Sequence, residues 1–166
     1  EEIKLKLKSF KSLDDKDKFK EFLFCLLTPQ SNAQRCWLAV EEILKLEKIE
    51  ESGINKILKT KTRFHNTKAK RILKAHESWK TIKEKLNSNN IKELRNFLAE
   101  DVNGYGLKEA SHFLRNIGKS NNEIAILDRH ILKNLNLINV LKEPKVKSKK
   151  SYLEIEQMFI EYANSI

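Results

Sequence analysis

The sequence predicts an all-α protein, and three observations carry that prediction. Apolar residues recur at helical rather than alternating spacing along the chain. Glycine (4) and proline (2) are scarce, which leaves few of the turns that a β architecture needs. At 40% hydrophobic residues in a chain of 166, there is enough apolar material to bury, in one compact unit or in two small lobes sharing a core.

The elements come in the following order. The first predicted helix starts at Asp14 or Asp15, whose carboxylates suit a cap, and aligns Phe19, Phe22, Leu23 and Leu26 on one face. Pro29 breaks it. Gln30, Ser31 and Asn32 then form a polar corner, and Ser31 or Asn32 can cap a second helix that turns Ala33, Cys36, Val40 and Leu44 inward. A third helix is predicted around residues 54–59. Phe64, His65, Asn66 and Thr67 read as a loop ending in a cap, and a fourth helix runs from about Lys68 with Ile72, Ala75, Trp79, Ile82 and Leu86 on one side. After a polar turn, Asn90 and Glu93 have capping-box spacing ahead of Ile91, Leu94 and Leu98. The stretch VNGYGLKEA (residues 102–110) reads as two helices joined by a glycine hairpin, the second carrying Leu107, Ala110, Leu114 and Ile117 and stopping at Gly118. In ILDRHI (residues 126–131), Asp128 opens a helix through Ile131, Leu132 and Leu135. A basic connector with Pro144 precedes a last helix with Tyr152, Ile155, Phe159 and Tyr162.

Lys and Arg total 33 against 23 Asp and Glu, a formal net charge of +10. Such a surface suits a polyanion, although a lysine-rich composition with no nucleic-acid partner gives the same balance. Cys25 and Cys36 lack metal-type spacing and read as small core residues in a reducing compartment. No His, Cys or carboxylate cluster has metal-ligand spacing, so no metal or other cofactor is expected. No run is apolar and long enough to span a membrane and the N-terminus lacks an apolar signal core, so the expectation is an intracellular, cytoplasmic monomer with no membrane partner, nucleoid-associated if prokaryotic.

The glycine hairpin, with Lys108 and Asp128 beyond it, carries the chemistry. Gly104 and Gly106 allow positive φ and close backbone approach. The N–H groups of the turn and of the next helix N-terminus then converge on an anion site without sequence preference, which a DNA phosphate fits. Tyr105 between them reads as an anchor in the groove between the helices. A plain helix–helix turn is the alternative. Lys108 lies in the first turn of the second helix, where the helix dipole disfavours an ammonium, and burial in a cleft would lower its pKa further. A free amine there can attack a sugar C1′, displace a base and form a Schiff base that permits strand cleavage by β-elimination. Asp128 is the carboxylate that can stabilise the positive charge developing on the sugar. Taken singly, Lys108 is an ordinary solvated charge and Asp128 an N-cap; their combination with the hairpin is what singles them out.

At these residues the sequence resembles the helix-hairpin-helix DNA glycosylase superfamily. GYGLKEASHFLRNIG (residues 104–118) with AILDRHI (residues 125–131) is most similar to the archaeal-type 8-oxoguanine DNA glycosylase/AP lyases. The resemblance implies two helical lobes with a DNA-binding cleft between them, and one glycosylase domain over residues 1–166. It implies Lys108 as Schiff-base nucleophile and Asp128 as essential aspartate. It also implies that His130 contacts a DNA phosphate near the lesion, and that the loop of Gln30, Ser31 and Asn32 enters the duplex where the base has left. His112 would line the base pocket, with a hydrogen-bonded structural histidine as the alternative. Lysine rather than Ser or Tyr at position 108 implies a bifunctional enzyme, and the absence of a four-cysteine motif implies no iron–sulfur cluster. Archaeal-type members continue into a C-terminal segment with an aromatic residue and a terminal lysine that helps hold the flipped base, whereas this sequence stops at Ile166. The partner expected is duplex DNA containing a damaged base. Two rivals stay open: an endonuclease III-like enzyme for oxidised pyrimidines, and a non-enzymatic helix-hairpin-helix module that grips phosphates but needs neither Lys108 nor Asp128.

Overall fold

The structure is a computed structural model that describes residues 2–166, apart from the side chain of Lys6. The described residues form nine α-helices and no strands: α1 (Glu2–Lys11), α2 (Asp15–Leu27), α3 (Ala33–Ile43), α4 (Glu51–Leu58), α5 (His65–Lys85), α6 (Ile91–Asp101), α7 (Leu107–Asn116), α8 (Arg129–Leu137) and α9 (Lys149–Ser165). Local capping explains most of the starts. Asp14, Asn32 and Asn90 each accept the N–H three residues on, at 2.7, 3.1 and 3.1 Å, so Asn32 rather than Ser31 is the α3 cap. Gly118 ends α7 at φ 72°, where Lys119 N–H returns to Leu114 C=O at 2.8 Å.

Two starts differ from the sequence expectation. Helix α1 precedes the first predicted helix; Ile3, Leu5 and Leu7 are exposed on it, and among its described side chains only Phe10 near its end is buried. It closes against α7, because a Cβ on Gly118 would lie 3.0 Å from the Lys11 backbone. Helix α5 begins at His65, so His65, Asn66 and Thr67 form its first turn rather than a loop. Its N-cap, Phe64, sits at φ 58° with no side-chain cap, which removes the polar signal that a sequence reader uses.

Two hydrophobic cores result. The larger gathers Phe22, Leu26, Val40, Ile54, Ile72, Leu98, Phe113 and Leu114 from α2 to α7. Trp79 packs its half-buried ring on Phe19, Phe22 and Phe113, and Trp37 packs on Phe24. The smaller core joins Ala125, Leu127, Leu132, Leu135, Tyr152 and Ile155, with Leu107 of α7 packed against it. These are the two lobes. Cys25 and Cys36 are buried free thiols of the larger one.

A buried ion pair ties the lobes together. Arg95 of α6 is 1% exposed and Glu156 of α9 is 4% exposed. Arg95 Nη1 donates to both Glu156 carboxylate oxygens, at 2.6 and 2.5 Å. Glu156 Oε1 also accepts Ala125 N–H at 2.8 Å. Tyr152 O–H donates to Ala125 C=O at 2.7 Å, and burial pushes its pKa up to about 12. Helix α9 thereby grips the segment just ahead of Asp128.

Candidate active site

A cleft of about 1220 Å³ opens between the lobes. One wall is the end of α2 and the corner after it, from Phe24 through Ser31 and Asn32 to Arg35. A second is the loop before α5, from Lys59 to Arg63. The floor is one face of α7, with Lys108, His112 and Arg115, and the far side is the segment from Ile126 to His130. The two residues singled out for chemistry therefore line one cavity, from different lobes.

The hairpin between α6 and α7 delivers Lys108. Gly104 takes φ 101°, a conformation that favours glycine, and a Cβ there would meet Arg71 Cδ at 2.6 Å. Gly106 is extended at φ −118° and ψ −174°, so the expectation of positive φ at both glycines holds only for Gly104. Tyr105 is the expected anchor: its ring lies tilted against Phe22, with centroids 5.2 Å apart, and its O–H donates to Phe22 C=O at 2.8 Å. Two turn N–H groups are engaged internally, Tyr105 with Val102 C=O at 3.0 Å and Gly106 with Glu109 Oε2 at 3.2 Å.

Lys108 is 30% exposed at the side chain and its Nζ pairs with Glu109 Oε1 at 2.9 Å. Sequence reasoning did not single out Glu109. Its signal was present in the chain, an acidic residue beside the lysine and three positions after the turn glycine. Glu109 bonds the hairpin with one oxygen and the nucleophile candidate with the other.

Asp128 is the α8 N-cap. Its Oδ1 accepts His130 N–H at 2.8 Å and Ile131 N–H at 2.9 Å. The cap and the cleft position coexist, since Asp128 also lines the cavity. His130 is exposed on the first turn of α8, and its Nε2 accepts from Arg129 Nε at 3.3 Å. His112 lies edge-on to Phe24, with ring centroids 5.9 Å apart. Burial, then the charges of Arg115 and Lys108, lowers the His112 pKa from 6.5 to about 4, so its imidazole is neutral at neutral pH.

The polar corner divides its labour. Gln30 is exposed on the cleft rim at φ 56°. Ser31 Oγ accepts from Arg63 N–H at 3.1 Å and from Lys68 Nζ at 2.8 Å, and Asn32 caps α3. Sequence reasoning also missed the cations of the cleft walls, Arg35, Lys59, Lys61, Arg63, Arg115 and Arg129. Lys61 is paired with Glu42 at 2.8 Å. The run KTKTRF (residues 59–64) was the available signal for three of them. A cavity walled by cations concentrates a polyanion. Among the described residues, no group of three or more His, Cys, Asp or Glu could hold a metal, and no helix is long and apolar enough to cross a membrane.

Comparison with known proteins gives the family. The family model for 8-oxoguanine DNA glycosylase matches residues 3–166. The 8-oxoguanine DNA glycosylase/AP lyase of Fusobacterium nucleatum is 36% identical, covering 99% of this chain and 81% of its own. That of Methanocaldococcus jannaschii is 40% identical over 91% of this chain and 73% of its own. The crystal structure of the Methanocaldococcus jannaschii 8-oxoguanine glycosylase/lyase with a 15mer DNA containing 8-oxoguanine superposes with a TM-score of 0.84, at 34% identity, over 97% of this chain and 78% of that one. With a family match along almost its whole length and relatives above 30% identity, the chain belongs to the 8-oxoguanine DNA glycosylase family.

Proposed function

We propose that this protein is a bifunctional DNA glycosylase and AP lyase, a single-domain monomer that removes 8-oxoguanine from duplex DNA inside the cell and cuts the strand at the resulting site. The observation that carries this reading is the placement of Lys108 and Asp128 on one cation-walled cleft. The target nucleotide leaves the helix stack, because Lys108 cannot reach C1′ of a stacked one. Glu109, 2.9 Å from Lys108 Nζ, is placed to take its proton. The free amine attacks C1′; the C1′–N9 bond breaks, and the base leaves with the electron pair and gains a proton. Asp128 stabilises the positive charge on the sugar as that bond lengthens. Loss of the amine proton and ring opening give a Schiff base. Removal of a C2′ proton then expels the 3′ phosphate by β-elimination. No cofactor is needed for these steps.

The hairpin at Gly104 and Gly106 and the first turn of α8 at His130 hold phosphates on either side of the lesion. Gln30, with Ser31 and Asn32 behind it, fills the space that the base vacates. Neutral His112 offers the flipped base one donor and one acceptor. The test is borohydride trapping on duplexes carrying different lesions. Lys108→Gln abolishes trapping and leaves duplex binding within about threefold, as expected when an interaction made only during reaction is removed. Undiminished trapping refutes Lys108 as nucleophile, and faster release of thymine glycol than of 8-oxoguanine moves the protein to the oxidised-pyrimidine class.

A further inference from the structure

The excision and cleavage steps leave one buried amine unused. Lys68, in the first turns of α5, is 2% exposed. Its Nζ donates to Leu27 C=O at 2.6 Å, Pro29 C=O at 2.9 Å and Ser31 Oγ at 2.8 Å. An ammonium has three N–H donors, so this set is filled. Every acceptor belongs to residues 27–31, the short segment that leaves α2 and forms a wall of the cleft.

That segment needs a brace. Thr28 closes α2, and Pro29 has no N–H with which to continue the ladder. Gln30 is then held at φ 56°, a left-handed conformation that a residue with a Cβ keeps only when its surroundings over-determine it. The bonds on both sides of Gln30 supply that determination. Leu27 C=O also accepts from Cys36 Sγ at 3.3 Å, and Ser31 Oγ also accepts from Arg63 N–H. Gln30 is exposed, and no side-chain hydrogen bond ties it down among the described residues. A lysine is a costly residue for such a place, since burial disfavours its charge and lowers its pKa from the ordinary value. A lysine used only to fill space would not direct all its bonds to one turn.

We propose that Lys68 is a positioning residue for base extrusion: it fixes residues 27–31 so that Gln30 is presented, already ordered, to the gap that the flipped base leaves. The proposal rests on the assignment of Gln30 as the residue that fills that gap. A wedge ordered in advance spares the ordering cost that a mobile loop meets at every encounter with DNA.

The test uses the full chain with Gln30→Ala, Lys68→Met and the double variant. Two single-turnover rates are read: release of 8-oxoguanine from a duplex, and cleavage at a preformed abasic site in single-stranded DNA, where there is no duplex gap to fill. Each single variant slows duplex release by roughly tenfold or more. The double variant is no slower than the slower single one, because both remove the same device. Lys68→Met keeps single-strand cleavage within about twofold. Losses that multiply in the double variant, or that spread to single-strand cleavage in Lys68→Met, make Lys68 a general fold brace and overturn the proposal. Wild-type duplex release in Lys68→Met, with Gln30→Ala slow, overturns it too. Wild-type release in Gln30→Ala removes the underlying assignment instead. Should Lys68→Met fail to fold, Lys68→Gln, which keeps fewer donors for the same segment, takes its place; slowed duplex release with intact single-strand cleavage supports the proposal, and no change refutes it.

Discussion

Replacing Glu156 by glutamine keeps the shape of a buried side chain and deletes its charge. Arg95, 1% exposed, then loses the carboxylate that pairs with it among the described residues. Removing one partner of a buried pair costs about 3–5 kcal/mol, because the remaining charge stays desolvated. In a domain of this size each kcal/mol shifts Tm by about 2–4 °C, so a fall of roughly 6–20 °C is expected by calorimetry or circular dichroism. Glutamine's amide oxygen, in the place of Oε1, can still accept from both Arg95 and Ala125 N–H, but its amide NH2, in the place of Oε2, meets the guanidinium donor to donor. That mismatch pushes the side chain from its seat against Ala125, three residues ahead of Asp128, so excision falls as well. A control separates charge from shape. The double replacement Arg95→Met with Glu156→Leu removes both charges and recovers most of the stability. It still leaves Ala125 N–H without its acceptor, a residual cost of about 1–3 kcal/mol. A Tm for Glu156→Gln within about 2 °C of wild type, or a double variant no more stable than the single one, would refute the reasoning.

Other perturbations test the site directly. Asp128→Asn keeps an oxygen for His130 and Ile131 N–H, so stability changes by less than about 1 kcal/mol, whereas single-turnover excision drops by about 10²–10³; wild-type turnover would leave Asp128 as a cap only. Gly104→Ala forces a side chain to φ 101° and against Arg71, at a cost of about 1–3 kcal/mol, while Gly106→Ala is milder because its backbone is extended; equal melting temperatures for the two variants would contradict the hairpin geometry. His112 has a folded pKa of about 4 against 6.5 unfolded, so its contribution is present above pH 6.5 and is lost as pH falls toward 4, where the unfolded chain binds the extra proton. Urea titrations across that range should show a steeper acid loss for wild type than for His112→Gln, and parallel curves would remove His112 from the linkage.

Local signals were legible and distant ones were not. Asp14, Asn32 and Asn90 announce helix starts because a cap needs only a side chain and an N–H three residues away. Phe64 announces nothing, since a left-handed aromatic residue opens α5 in place of a polar cap. Helix α1 escaped notice because Ile3, Leu5 and Leu7 remain exposed and define no buried stripe. Lys108 and Asp128 were readable through the hairpin beside one and the apolar run around the other. Lys68 and the Arg95–Glu156 pair were not: their partners lie 37–41 and 61 residues away, and no periodicity encodes an ion buried across that separation. Glu109 falls between these cases, adjacent in sequence but recognisable only once Gly106 N–H is seen to need an acceptor.

A repair enzyme for oxidised bases works where oxidants are present, and the placement of its sulfur atoms bears on its own durability. Cys25 and Cys36 have no exposed surface. Burial raises the pKa of both thiols, Cys25 furthest, which depletes the thiolate that peroxide attacks. Met158, the only methionine, is 46% exposed on α9 but does not line the cleft. Peroxide should therefore meet a thioether that lies off the cleft lined by Lys108, while the cleft itself presents no sulfur to the very stress that generates the substrate.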